Sequence, residues 1–346
     1  MLIRAILLLV LLIPYMPLKA DTVTLYTWAQ YIAPTIGDKF YKDTGHVLNV
    51  VTYPNVTVRN GKLLQGRADV DLILMSSLHI HFMQKMGKLN DISSIPFDNK
   101  KHIDSRWLSY CGSYGIAYSW GTTGIAYRSS IATRKITSWK QFFEPESALS
   151  GRIVFSMDES TPVSMALLAL GEPINSTSEH YLEKAVKLLN AQSTHVLAYE
   201  HGSIYAELNG TESKMAMTLT YSSDIFEIKR LTGNDDWVYV IPEEGGTLWV
   251  DCFGNPATRP LSAAALAFLN YINRPDIAAL NAEYIKFSTT NTSALKLTSE
   301  SYRNDPLLFP NPELIGKKLK VADYDRKTFT RRRNIARKIK ESKKFD

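Results

Sequence analysis

The sequence predicts two α/β units, each a mostly parallel sheet flanked by helices, that close on one another as a clamshell. Three observations lead there. The chain has 346 residues, more than one hydrophobic core ordinarily serves. Short β-rich runs alternate with helix-length stretches, as in parallel sheets with crossover helices. The run LILM at 72–75 is wholly apolar, the mark of a strand covered on both faces.

Residues 1–20 come first and read as an export signal. Arg4 gives a positive start, 5–13 is an unbroken apolar run, and Pro14 and Pro17 break any helix before Ala20. The run is too short to span a bilayer. Cleavage after Ala20 and a soluble periplasmic product are the expectation, a retained anchor the alternative. No cysteine near the cut invites a lipid anchor.

The elements then follow in order. Residues 23–26 form a strand, 35–44 an amphipathic helix, 48–53 a strand, 58–65 a helix and 71–75 a buried strand. A second series opens with a strand at 152–155 and helices at 162–170 and 180–190. Strands at 215–219 and 237–241, a turn at Glu243-Glu244-Gly245-Gly246 and a strand at 247–253 come next, and helices at 261–270 and 276–286 close the series. The division expected is a first lobe of 21–126 completed by 253–295, and a second of 127–252 completed by 296–346. Hinges are expected near 125–128, 252–253 and 293–297. Ligand would sit between the lobes, at the carboxyl ends of the strands.

The net charge of +6 conceals a division. Thirteen Lys/Arg and four Asp/Glu fall between Lys317 and Asp346, giving that tail +9, while the body from Asp21 to Gly316 carries −5. An acidic body without a groove-reading motif argues against nucleic acid. The tail is read either as a contact for acidic lipid or a partner, or as a solvated terminal helix. The two cysteines, Cys111 and Cys252, are read equally as a bridge or as two buried thiols.

Three clusters stand where chain leaves a strand, Trp28 to Tyr31, Ser76-Ser77 and the loop around Asp158; a fourth, Trp249 to Asp251, lies in the strand 247–253, with Tyr221 and Asp224 preceding it. Singly, each tryptophan reads as core filling. Together they suit a cation, because ring faces attract ammonium groups and carboxylates hold them by charge-assisted hydrogen bonds.

These clusters lie in or beside stretches of wider resemblance: LYTWAQYIAP (25–34), DVDLILMSS (69–77), YGIAYSWGTTGIAYRS (114–129), TSWKQFFEP (137–145), EEGGTLWVDCF (243–253) and FLNYINRPDIA (268–278). Nearly the whole chain after Ala20 resembles the periplasmic polyamine-binding proteins of bacterial ABC transporters, closest to the putrescine-binding branch. The resemblance implies a two-lobed, type II solute-binding clamshell that is monomeric and has no cofactor. It implies ligand contacts from Trp28, Tyr31, Ser76, Ser77, Asp158, Tyr221, Asp224, Trp249 and Asp251, with Phe287 where the family has a tyrosine. Ala29 and Gln30 replace an acid common in the first motif, Thr161 a second glutamate after Asp158, and Tyr221 a usual tryptophan. A permease partner is implied, with a membrane-bound sensor as the alternative.

An enzyme is the rival class. The chain carries no P-loop, no G-x-S-x-G and no Cys/His ligand spacing. His79 and His81, two apart, are read as surface residues rather than metal ligands. Asp158 and Glu159, adjacent on one loop, cannot face each other across a sugar.

Overall fold

The computed structural model describes residues 21–157 and 160–343; the expected export signal, Asp158 and Glu159 lie outside the described residues. The strands are β1 (Thr22–Thr27), β2 (Val47–Thr52), β3 (Leu72–Ser76), β4 (Ile116–Arg128), β5 (Ile153–Val154), β6 (Val196–Ala198), β7 (Met217–Tyr221), β8 (Trp237–Val240), β9 (Gly246–Gly254), β10 (Ser288–Thr289) and β11 (Leu319–Val321). Their order is β2-β1-β3-β9-β4-β7-β5-β6, with β8 and β10 also on β4 and β11 on β9. The outer triples β2-β1-β3 and β7-β5-β6 are parallel. β9 and β4 run antiparallel to each other and to the triples they join.

Local chemistry explains the outer elements. Leu72 to Met75 are fully buried, as an apolar run requires. The helix Thr35–Thr44 stops at Gly45, whose φ of 75° suits glycine. Asn55 starts the helix Val56–Leu64 by accepting from the Val58 N–H.

Two cores result, and the chain passes between them along β4. Ile116, Ala117 and Trp120 belong to the first core. From Ile125 onward, alternate residues pack on opposite faces of the second sheet, Ile125 and Tyr127 with Ile153 and Met217, and Ala126 with Val154 and Trp237. The handover therefore falls at 121–124, just ahead of the expected 125–128.

The other expected crossings move further. Leu248, Val250, Cys252 and Phe253 all lie in the first core, because β9 is inserted between β3 and β4. The second handover thus sits near 241–246 rather than 252–253. The helix Thr292–Leu295 packs Ala294 against Ala278 and Ala279, and Leu319 of β11 joins the first core beside β9. The segment from Phe309 to Val321 therefore sides with the first core, while Leu307 packs on the second. The return crossing comes after it, in the helix Arg326–Ser342. Phe329 near its start packs on Leu78 and Phe82, while Ile335, Ala336 and Ile339 enter the second core. The reading of the tail as a solvated helix holds for one face only.

Cys111 and Cys252 form a disulfide with a Cα–Cα distance of 6.0 Å, tying the helix Ser105–Cys111 to β9. Among the described residues no helix is long and apolar enough to cross a membrane.

Candidate functional site

The site forms where β1, β3, β7 and β9 end or pass the handover. After β1, Gln30 takes a positive φ of 60°, turning the chain between Trp28 and Tyr31. Tyr31 is then held from behind: the Tyr118 hydroxyl donates to its carbonyl at 2.5 Å, and Asn281 donates to Tyr118 at 2.6 Å while accepting from the Ala33 N–H. The Tyr31 ring stands edge-on to Phe287 at 4.6 Å, Phe287 to Trp249 at 5.5 Å, and Trp249 to Tyr221 at 5.8 Å. Four of the expected residues thus make a continuous ladder of rings leading from the first core to the second. Trp28 stands beside it, packed on Tyr53 at 4.5 Å.

Two carboxylates bear on this ladder. Asp251 is 6 % exposed and shares a strand face with Trp249, two residues away. In register it lies between Ser76 of β3 and Ser119 of β4. Asp224 opens the helix Asp224–Thr232, accepting from the Thr220 hydroxyl at 2.8 Å and the Tyr221 N–H at 3.4 Å. The Tyr31 hydroxyl is held well above the usual tyrosine range, first by withdrawal from water, then by the charges of Asp251 and Asp224 and by Tyr53 and Tyr221. One carboxylate thus stands on β9 two residues from Trp249 and the other opens the helix after Tyr221, so the two flank the ladder's second half.

The serines behave differently from each other. Ser76 Oγ is hydrogen-bonded to His79 Nδ1 at 2.9 Å. His79 is buried against Phe82 and Phe329, not at the surface as its sequence context implied, because the helix Ser77–Lys85 turns this face onto the C-terminal helix. Burial, together with Arg59 and Arg333, holds its imidazole well below its usual range and hence neutral. Ser77 is buried at the start of that helix. Asp158 is outside the described residues; its neighbour Ser160 meets the Tyr324 hydroxyl at 2.5 Å.

Sequence reasoning missed some neighbours. His201 stacks near Tyr221 at 5.6 Å, with Nε2 3.7 Å from Asp224; an isolated loop histidine carries no signal. Tyr118 and Ser119 lay within a resembling stretch and were available to it. The Ser119 hydroxyl and the Trp249 indole N–H are buried without a hydrogen-bond partner among the described residues.

A family model described as bacterial extracellular solute-binding protein matches residues 35–310, a span that holds most of both cores. The chain belongs to the bacterial extracellular solute-binding proteins. It is 30 % identical over 288 residues to the norspermidine sensor of Vibrio cholerae, covering 83 % of this chain and 80 % of that one. It is 28 % identical over 301 residues to the spermidine/putrescine-binding periplasmic protein of Escherichia coli, covering 85 % of each. The spermidine/putrescine ABC transporter substrate-binding protein of Streptococcus pneumoniae has the same fold, with a TM-score of 0.78 at 24 % identity over 93 % of this chain and 99 % of that one.

In this solute-binding protein the handover is shaped to seat Trp249. A Cβ on Gly121 would lie 2.3 Å from Trp249 Cζ2, so only glycine leaves room for the indole there. In Gly121→Ala the indole is the group that yields. Ligand affinity is expected to fall at least tenfold, and the stability cost to stay within about 1–3 kcal/mol. Indole fluorescence, ligand titration and melting on one sample check this; wild-type affinity with a shifted emission maximum would separate Trp249 from binding.

Proposed function

We propose that this solute-binding protein captures a linear polyamine, of the putrescine or spermidine kind, between its two lobes and delivers it to an ABC transporter. The observation that carries this reading is the ladder Tyr31–Phe287–Trp249–Tyr221, with Asp251 on the same face of β9 as Trp249 and Asp224 bonded to the Tyr221 N–H. Ammonium heads need carboxylates, and methylene spacers need ring faces between them. Trp28, Ser76 and Ser77 are assigned to the first-lobe wall of the site. Asp158 is assigned to the second-lobe side of the site, as the resemblance implies. Relatives whose names specify polyamines support the ligand class. The chain acts as a monomeric carrier, not an enzyme, and residues 1–20 direct it to the periplasm.

Binding and closure are coupled on this reading. Ligand touches both lobes only in the closed form, so closure follows from contacts unavailable when the lobes part. The handovers at 121–124 and 241–246 are the proposed hinges.

Calorimetry against putrescine, cadaverine, spermidine and norspermidine tests the ligand class, with a neutral sugar and glutamate as controls. Heat with at least one polyamine and none with the controls is expected. Silence toward all four polyamines together with heat from a control would falsify the proposal.

A second reading rests on the relative named as a norspermidine sensor: the loaded protein reports to a membrane-bound receptor instead of a permease. Deleting the gene and following polyamine uptake separates the two. Lost uptake supports delivery; normal uptake with an altered response to added polyamine supports sensing.

A further inference from the structure

The helix Arg326–Ser342 begins beyond residue 310, where the family match ends, and its charge plays no part in the proposed site. It carries eight Lys/Arg and one acid, Glu341. Its apolar stripe is already occupied: Phe329 packs on Leu78 and Phe82, and Ile335, Ala336 and Ile339 lie in the second core. One arginine, Arg332, is fully buried and donates to the Ser164 hydroxyl at 2.9 Å, the Ile174 carbonyl at 2.7 Å and the Ser176 carbonyl at 2.6 Å. The helix is therefore pinned across both cores with one rotational setting, and the rest of its charge faces outward.

That outer face is basic along its length, about 25 Å at 1.5 Å per residue. Arg326, Lys327, Arg331, Arg337 and Lys338 are exposed and Arg333 half-buried. Two of these are offset by acids, Arg331 by Glu179 at 3.0 Å and Arg337 by Glu341 at 2.9 Å. Arg326, Lys327, Arg333 and Lys338 form no ion pair with another described residue. We propose that this face docks the protein on a layer of anionic phospholipid headgroups.

The character of the face selects that partner. Protein interfaces are anchored by buried apolar or aromatic groups near their centre, and the outward residues between the cations are Thr330, Asn334 and Glu341. Insertion as an amphipathic helix is also closed off, since the apolar stripe is buried in the protein's own cores. What remains is a flat array of cations with no anchor, which matches the diffuse charge of headgroups. The acidic remainder of the chain, at −5 from Asp21 to Gly316, is repelled by the same surface, so only this side is turned toward it. The contact is independent of which solute is bound.

Sedimentation with vesicles tests this, using the chain from Asp21 to Asp346, which holds every described element and omits the apolar start. Vesicles of phosphatidylcholine alone are compared with vesicles holding about 30 % phosphatidylglycerol. The protein is expected to sediment with the second and not the first, and to be released in about 0.5 M salt, where screening acts within a few ångströms. Neutralising three exposed, unpaired cations in Arg326→Gln/Lys327→Gln/Lys338→Gln should weaken vesicle binding on the order of 100-fold, with solute affinity and melting temperature unchanged. Equal sedimentation with both vesicles, none with either, or a triple variant that binds the anionic vesicles like wild type overturns the proposal. An acidic protein surface would then be the partner to seek. Should the triple variant fold poorly, the salt release and lipid comparison on the wild type still decide.

Discussion

Asp251→Asn is expected to lower polyamine affinity by roughly 30- to several-thousand-fold, the equivalent of about 2–5 kcal/mol for losing one partner of a desolvated charge pair. Asp251 is nearly buried in the middle of β9, between Ser76 and Ser119 in register. Its charge reaches the hydroxyls of both Tyr31 and Tyr118. A carboxylate so placed gains little from water, so an ammonium head brought against it forms a strong, desolvated pair. A role in capping a helix or turn is removed by its place inside the strand Gly246–Gly254. The asparagine keeps the shape and deletes the charge, so affinity should fall far more than melting temperature. Calorimetry and thermal melting on the same preparation separate the roles. A lower melting point at wild-type affinity would mean that Asp251 serves the fold and not the ligand.

Breaking the bridge between Cys111 and Cys252 should have the largest effect on stability. The two residues are 141 apart in sequence, so the bond closes a long loop and restricts the unfolded chain strongly. Loss of such a native disulfide typically costs about 2–5 kcal/mol. In Cys111→Ser/Cys252→Ser the urea midpoint should fall by that equivalent. Reductant should lower the wild-type midpoint to match and leave the variant where it is. The bridge also holds β9 one residue from Asp251, so the folded variant should bind with at most a modest loss. Equal midpoints for wild type and variant, with and without reductant, would show that the bridge contributes nothing.

Much of the site was legible because strands release their functional side chains locally. Trp28 and Tyr31 follow β1, Ser76 ends β3, Tyr221 ends β7 and Trp249 and Asp251 share one face of β9. Each can be found from a β-rich run and a polar or aromatic residue in it or just after it. Their mutual distances could not, because Tyr31, Phe287, Trp249 and Tyr221 meet through four separate segments. His201 shows the limit: nothing around it in sequence marks it, and only the fold of the second core brings it to Asp224.

The same distinction governs the whole chain. Residue pattern tells which part of an element is apolar, and so the buried strand 72–75, the amphipathic helix Thr35–Thr44 and the basic character of the tail follow from the sequence alone. It does not tell which surface that part will meet. The insertion of β9 between β3 and β4 was therefore decided only by tertiary structure, and with it the placing of 309–321 beside the first core through β11. So were the choice of bridge over free thiols and the burial of His79 under Phe329. Each of these is a pairing between segments far apart in the chain, where many partners have the right hydrophobicity and only simultaneous packing of both cores selects one.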